Sequence, residues 1–146
     1  MRIYTAAISL SVPATADVDI WSIVGTSAIR VKLLEFELMS TDIAAELIEL
    51  RLRRISASGS GGGTFTAKEP TDPLGAASVA VVHTLDTTAG ALVNNLRHYA
   101  WEQLGPIGKV WTPETIMGSQ VSAGFALTTT SAVAFSARGA VTWQEA

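Results

Sequence analysis

The chain has no cysteine among its 146 residues. That excludes disulfides and thiolate metal sites, and it leaves the redox compartment unrecorded. Charge is also scarce: Asp, Glu, Lys and Arg make up 16% of residues, against roughly 25% in ordinary soluble domains. The net charge of −3 gives no broad attraction to nucleic acid. No stretch reads as a membrane helix. Residues 115–137 carry no charge, but Ser119, Gln120, Ser122 and the run Thr128-Thr129-Thr130-Ser131 make them too polar. No fixed-period repeat is present, which excludes a solenoid. A small domain this poor in charge leaves uncharged, mildly apolar surface in water unless a partner covers it. The composition therefore favours a subunit of an assembly over a free monomer.

Alternation is what the sequence does have. In Leu34-Glu35-Phe36-Glu37-Leu38 and in Ile48-Glu49-Leu50-Arg51-Leu52-Arg53, every second residue is apolar and those between are charged. That is the period of a half-buried strand. The N-terminal Arg2 and the apolar run Ile3 to Val12, followed by Ala14-Thr15-Ala16, imitate a secretion signal. Thr5, Ser9 and Ser11 break that run with strand-like spacing, so it reads as a first strand ended by Pro13. Further strands are expected at Val18 to Val24, Ala28 to Met39, Leu47 to Ser56 and Ser78 to Leu85. A short one is expected at Val110 to Thr112, and two final ones carry Val121 to Leu127 and Val133 to Trp143. Inside Ala28 to Met39 the apolar positions change parity, which means either a bulge or a strand crossing between sheets. Asp42 to Ile55 could also form a helix from its Ala, Glu, Leu and Arg, but the parity of its side chains favours a strand after a possible helical turn at Asp42 to Glu46. Leu92 to Trp101 fits a strand or a short helix equally. The fold class is thus all-β: one antiparallel β-sandwich domain over residues 1–146, jelly-roll-like, with short helical turns at most. A long Gly/Pro loop covers residues 57–77 within it, with Ala57 to Gly63 as a flexible connector and Lys68 to Ala77 stiffened by Pro70 and Pro73. The expected core holds Ile8, Leu10, Ile29, Val31, Phe36, Leu38, Leu50, Leu52, Phe125, Leu127 and Phe135.

The charges suggest a hairpin register. With Phe36 opposite Leu52 and Leu38 opposite Leu50, Glu37 faces Arg51 and Glu35 faces Arg53. Chemistry is otherwise sparse. His83 and His98 lie in different segments, so a two-histidine metal site would need a carboxylate such as Asp86, and ordinary surface roles fit them better. The glycines at 59 and 61–63 lack the Lys-Ser/Thr of a phosphate loop. Arg51, Arg53 and Arg54 form the sole basic cluster, and Arg51 and Arg53 are opposed by acids. The reading assigns no catalytic, cofactor or metal residue and no enzyme activity. Trp21, Trp101, Trp111 and Trp143 read first as core or rim residues. Trp101 and Trp111, in the least regular segment, are the better candidates for contact. The stiff loop supplies the other candidate interface residues, Lys68, Pro70, Asp72, Pro73 and Leu74, because a stiff loop loses less entropy when captured.

The order of these segments resembles a family. Arg2-Ile3-Tyr4-Thr5-Ala6, the Ile29 to Leu38 strand and Ile48 to Ser56 come first. A Gly/Ser/Thr connector, Pro70-Thr71-Asp72-Pro73-Leu74-Gly75-Ala76-Ala77, Gly108 to Glu114 and Gly139 to Glu145 follow. The series is similar to small β-sandwich structural proteins of tailed bacteriophages, in particular the capsid decoration, or cement, proteins. The resemblance implies a virion protein on the capsid surface, made in the bacterial host cytoplasm, that stabilises an icosahedral shell through protein contacts. Its implied partners are the major capsid protein and itself, as a trimer in preference to a dimer, with neither nucleic acid nor membrane. The alternatives are a carbohydrate- or receptor-binding module using Trp101 and Trp111, or a head–tail or tail component.

Overall fold

β-Branched and aromatic residues recurring at every second position form strands throughout the chain. The computed structural model describes residues 2–14, 17–42, 46–65, 67–70, 74–111 and 117–146. In order they form β1 (Arg2–Val12), β2 (Val18–Val24), β3 (Val31–Met39), β4 (Leu47–Ala57), β5 (Gly63–Thr64), β6 (Val81–Asp86), β7 (Ala91–Glu102), β8 (Ile107–Val110), β9 (Met117–Gly118), β10 (Gly124–Thr130) and β11 (Phe135–Glu145). The described residues include no helix. The strand reading of Leu92 to Trp101 is therefore the correct one of the two, and Leu47 onward is strand as well. Residues 43–45, the centre of the possible helical turn, lie outside the described residues.

The strands make two antiparallel sheets. The first runs β1-β11-β3-β8, with β9 also on β3; the second runs β5-β6-β2-β10-β4-β7. Successive strands β1 to β4 alternate between the sheets, and β10 and β11 return to sit between them. This double wrap is jelly-roll connectivity, with β5, β6 and β9 as additions. The change of parity in β3 is a bulge. Thr142 of β11 pairs with Glu35 and Trp143 with Leu33, which leaves Leu34 extra.

The core lies between the inner faces. Ile8, Val31, Phe36, Leu38, Leu50, Leu52, Phe125, Leu127 and Phe135 are buried in it as expected, while Leu10 and Ile29 are half-buried at its margin. Phe36 is central: its ring centroid lies 6.2 Å from Trp21, 5.8 Å from Tyr99 and 6.0 Å from Trp111. Trp143 packs between Tyr4 at 6.0 Å and Phe65 at 6.1 Å.

Two expectations fail. The β3–β4 hairpin does not exist. β3 pairs with β11, β8 and β9, and β4 with β10 and β7. Glu35 and Glu37 point away from the core on the first sheet, and Arg51 and Arg53 point away from it on the second. Neither the Glu37–Arg51 nor the Glu35–Arg53 pair forms. Alternation identified the inner face of each strand correctly, but two such faces can meet across a sandwich as well as side by side. Burial across the core outweighs exposed ion pairs that are each worth well under ~1 kcal/mol.

The Ala57 to Gly63 connector is not a free linker either. Ser60 and Thr88 exchange backbone hydrogen bonds at 2.9 and 3.0 Å, and Gly63–Thr64 pairs with β6. A methyl group on Gly59 would meet the Thr88 carbonyl, and one on Gly62 the Thr84 carbonyl. The glycines are there for close approach of two backbones, a role that composition alone does not separate from flexibility.

Candidate functional site

The two arginines that the hairpin would have joined to Glu35 and Glu37 lie instead beside groups on β2 and β10, while Glu35 accepts from Thr142 of β11. Ile20 is an extra residue of β2 beside β10, where Leu127 pairs with Trp21 and Thr128 with Asp19; along β6 the register is even, with Trp21 facing Thr84 and Asp19 facing Asp86. Leu85 adopts a left-handed φ of 56°, an uncommon conformation for a branched residue. Asp19 and Asp86 thus become neighbours, each 1% exposed.

Every carboxylate oxygen of this pair has a partner. Asp19 accepts from Thr128 Oγ1 at 2.5 Å and from the Gly90 amide at 2.8 Å. Asp86 accepts from the Gly62 amide at 3.2 Å, and its other oxygen lies 3.0 Å from His83 Nδ1. Arg53 Nη1 lies 3.3 Å from Thr128 Oγ1 and 3.8 Å from Asp19. The cluster fastens the glycine connector and the turn before β7 onto the outside of the second sheet. Its acidic groups are closed over and occupied by the chain itself, which makes it a structural knot with no open position for a reacting atom. Arg51 at the rim joins Asp17, Thr130 and Glu49.

Two aspartates here titrate in opposite senses. The hydrogen bond from Arg51 comes first among the causes holding Asp17 below the usual carboxylate value. Burial raises Asp19, against the hydrogen bonds from Thr128 and Gly90. Asp17 therefore adds stability that is lost as pH falls through its folded pKa. Asp19 favours the fold at low pH and loses that contribution as pH rises through its folded pKa. In urea melts between pH 3 and 6 (roughly the carboxylate range), Asp17→Asn should reduce the loss of stability in acid and Asp19→Asn should enlarge it. Equal slopes for the two variants would contradict the assignment.

His83 on β6 and His98 on β7 lie at opposite sides of the second sheet, with β2, β10 and β4 between them. His98 lies 3.8 Å from Glu49. Among the described residues no group of three His, Asp or Glu side chains could hold a metal. Sequence reasoning missed Glu145, which shares the inward parity of Val141 and Trp143. That parity is the signal that could have found it. Its carboxylate accepts from Ser78 Oγ at 2.5 Å, the Val79 and Ala80 amides at 3.1 Å each and Trp143 Nε1 at 3.3 Å. These bonds hold the segment that leads into β6, and β6 accordingly starts at Val81 and not at Ser78.

The candidate contact residues divide. Lys68 is exposed and pairs through its backbone with Thr5 of β1 at 2.8 and 3.0 Å. Pro70 is exposed and Leu74 is 94% exposed; Asp72 and Pro73 lie outside the described residues. Trp101 and Trp111 are corrected: they are 2% and 6% exposed. Trp101 donates to the Gly105 carbonyl at 2.7 Å and its ring meets Phe135 at 5.8 Å, while Trp111 packs on Phe36. Both complete the chain's own core and offer no face to a partner or a sugar. The apolar groups that do reach solvent include Leu92 at 50% and Val93 at 56% on β7, with Val121 at 44%. Val93 and Val121 line a surface cavity of about 430 Å³ together with Arg54, Ser119, Gln120 and Ser122. No protein-family model matches this chain, and no curated protein or solved structure shows detectable similarity to it.

Proposed function

We propose that the chain is a structural subunit of a protein assembly, and that the assembly is an icosahedral phage-type shell that it decorates from outside. The observation that carries the assembly reading is the apolar surface: Leu92, Val93 and Val121 stay half-exposed, and Val93 and Val121 line a surface cavity. The shell is the finer part and rests on the strand-and-loop resemblance. The role is mechanical: the protein adds buried area across seams between shell subunits, and a distributed interface of that kind needs no reactive group. The carbohydrate-binding alternative loses its platform, because Trp101 and Trp111 are inside the core.

The test is occupancy. Purified protein added to expanded shells that lack their decoration should bind at a fixed ratio and raise the temperature at which the shells release DNA. Density at a tail or head–tail junction alone would give the chain a different place in the particle, and absence of binding to any phage particle would end the reading. Pro70 is exposed, and the Lys68 to Ala77 loop remains the candidate anchor. Pro70→Ala with Pro73→Ala should leave the melting temperature nearly unchanged and lower shell occupancy. Unchanged occupancy would remove this loop from the contact.

A further inference from the structure

The second sheet ends on one side in β7, whose partner strand is β4 alone. An outer strand leaves a row of backbone donors and acceptors ready to pair with another strand. The two halves of β7 differ. Between Ala91 and Leu96 its pairing with β4 is interrupted by three irregularities, the kind of twist that blunts an edge. From Arg97 to Glu102 the register is unbroken, running from Leu52 opposite Arg97 to Leu47 opposite Glu102. Among the described residues no backbone hydrogen bond reaches this half from any strand but β4. Arg97 and Glu102 have no ion-pair partner there either.

We propose that this half-strand pairs with the same half-strand of a second copy of the chain, antiparallel, about a two-fold axis at Ala100. The sequence selects the partner and the register. In an antiparallel pair, opposite residues share a face, so the axis must pass through a residue. An axis at Arg97 would oppose Arg97 to itself, and one at His98 would oppose two histidines. An axis at Tyr99 would set Arg97 against the buried Trp101. An axis at Trp101 would set that indole against its own copy. With the axis at Ala100, small side chains meet at the centre and each His98 faces the acceptor carboxylate of a Glu102, while Trp101 stays inside its own core. Cross-strand pairs of complementary polar groups stabilise a sheet. Two sheets would join into one continuous sheet, and the short contact makes a dimer that dissociates on dilution. This deepens the assembly reading and rests on it. It replaces the expected trimer with a two-fold pair.

Sedimentation at high protein concentration should give a mass of two chains, falling to one on dilution. Glu102→Lys should give a single chain throughout, and adding His98→Glu should restore the pair. The cysteine-free background allows a geometric check. The Cα atoms of directly opposed residues lie within disulfide reach, about 4.5–5.5 Å. Under mild oxidation Ala100→Cys should therefore cross-link to itself, while Ser9→Cys, exposed on β1, should not. A mass of one or three chains at every concentration, or cross-linking of Ala100→Cys no faster than of Ser9→Cys, would overturn the proposal. Shells decorated by a protein that stays monomeric in solution would keep the assembly reading and overturn this one. A cross-linked Ala100→Cys dimer that binds no shell would do the reverse.

Discussion

Phe36→Ala should lower the free energy of unfolding by about 3–5 kcal/mol. For a chain of this length that is a fall in melting temperature of roughly 10 °C or more. The residue is 2% exposed, and its ring touches Trp21 and Tyr99 on the second sheet and Trp111 beyond β8. Three rigid aromatics cannot collapse into the space a lost phenyl leaves, so the cavity persists and the upper part of the range applies. Phe125→Ala and Phe135→Ala should fall in the same range. A shift of only a degree or two for Phe36→Ala, measured by calorimetry, would mean that the two inner faces do not meet at this residue.

Asp19→Ala should cost about as much, about 3–5 kcal/mol, for a different reason. Its removal takes away the acceptor of the Gly90 amide and of the Thr128 hydroxyl. It also takes away the carboxylate that lies 3.8 Å from the buried Arg53 guanidinium. Arg53 Nε is already without a hydrogen-bond partner among the described residues, so the group has little reserve. Breaking a buried pair from one side costs more than removing both partners. The double variant Asp19→Ala with Arg53→Met should therefore be more stable than Asp19→Ala alone in urea denaturation. A double variant less stable than both single ones would show that the Gly90 and Thr128 bonds, and not the charge on Arg53, set the cost.

The local parts of this fold were legible. Parity located the inner faces of β1, β3, β4, β10 and β11, and the phase change in β3 marked its bulge at Leu34. Pairing was not legible, since which sheet a strand joins depends on partners nearly a hundred residues away. Glu35 and Arg53 look like neighbours at a short separation, yet β11 lies beside the one and β10 beside the other. The knot around Asp19 was hidden for the same reason. It forms where Ile20 bulges out of β2 beside β10 and Leu85 takes a left-handed φ, and neither leaves a pattern in the sequence. Trp101 and Trp111 were misplaced because a segment without clear alternation was equated with an exposed one. Trp101 lies in the regular half of β7 and Trp111 directly after β8, and both turn inward onto the core.

The positions of β10 and β11 bear on when this chain can fold. β11 lies between β1 and β3, and β10 between β2 and β4. Both central strands come from residues 124–145. During synthesis β4 can meet β7, β2 can meet β6, and β3 can meet β8, but these pairs remain fragments with bare edges and uncovered apolar faces. Neither sheet is continuous until β10 and β11 have been made, so folding waits for residues 124–145 and then has long loops to close. Until that moment the four N-terminal strands resemble each other enough to pair across neighbouring chains, and it is there, more than in the finished domain, that the chain is exposed to aggregation.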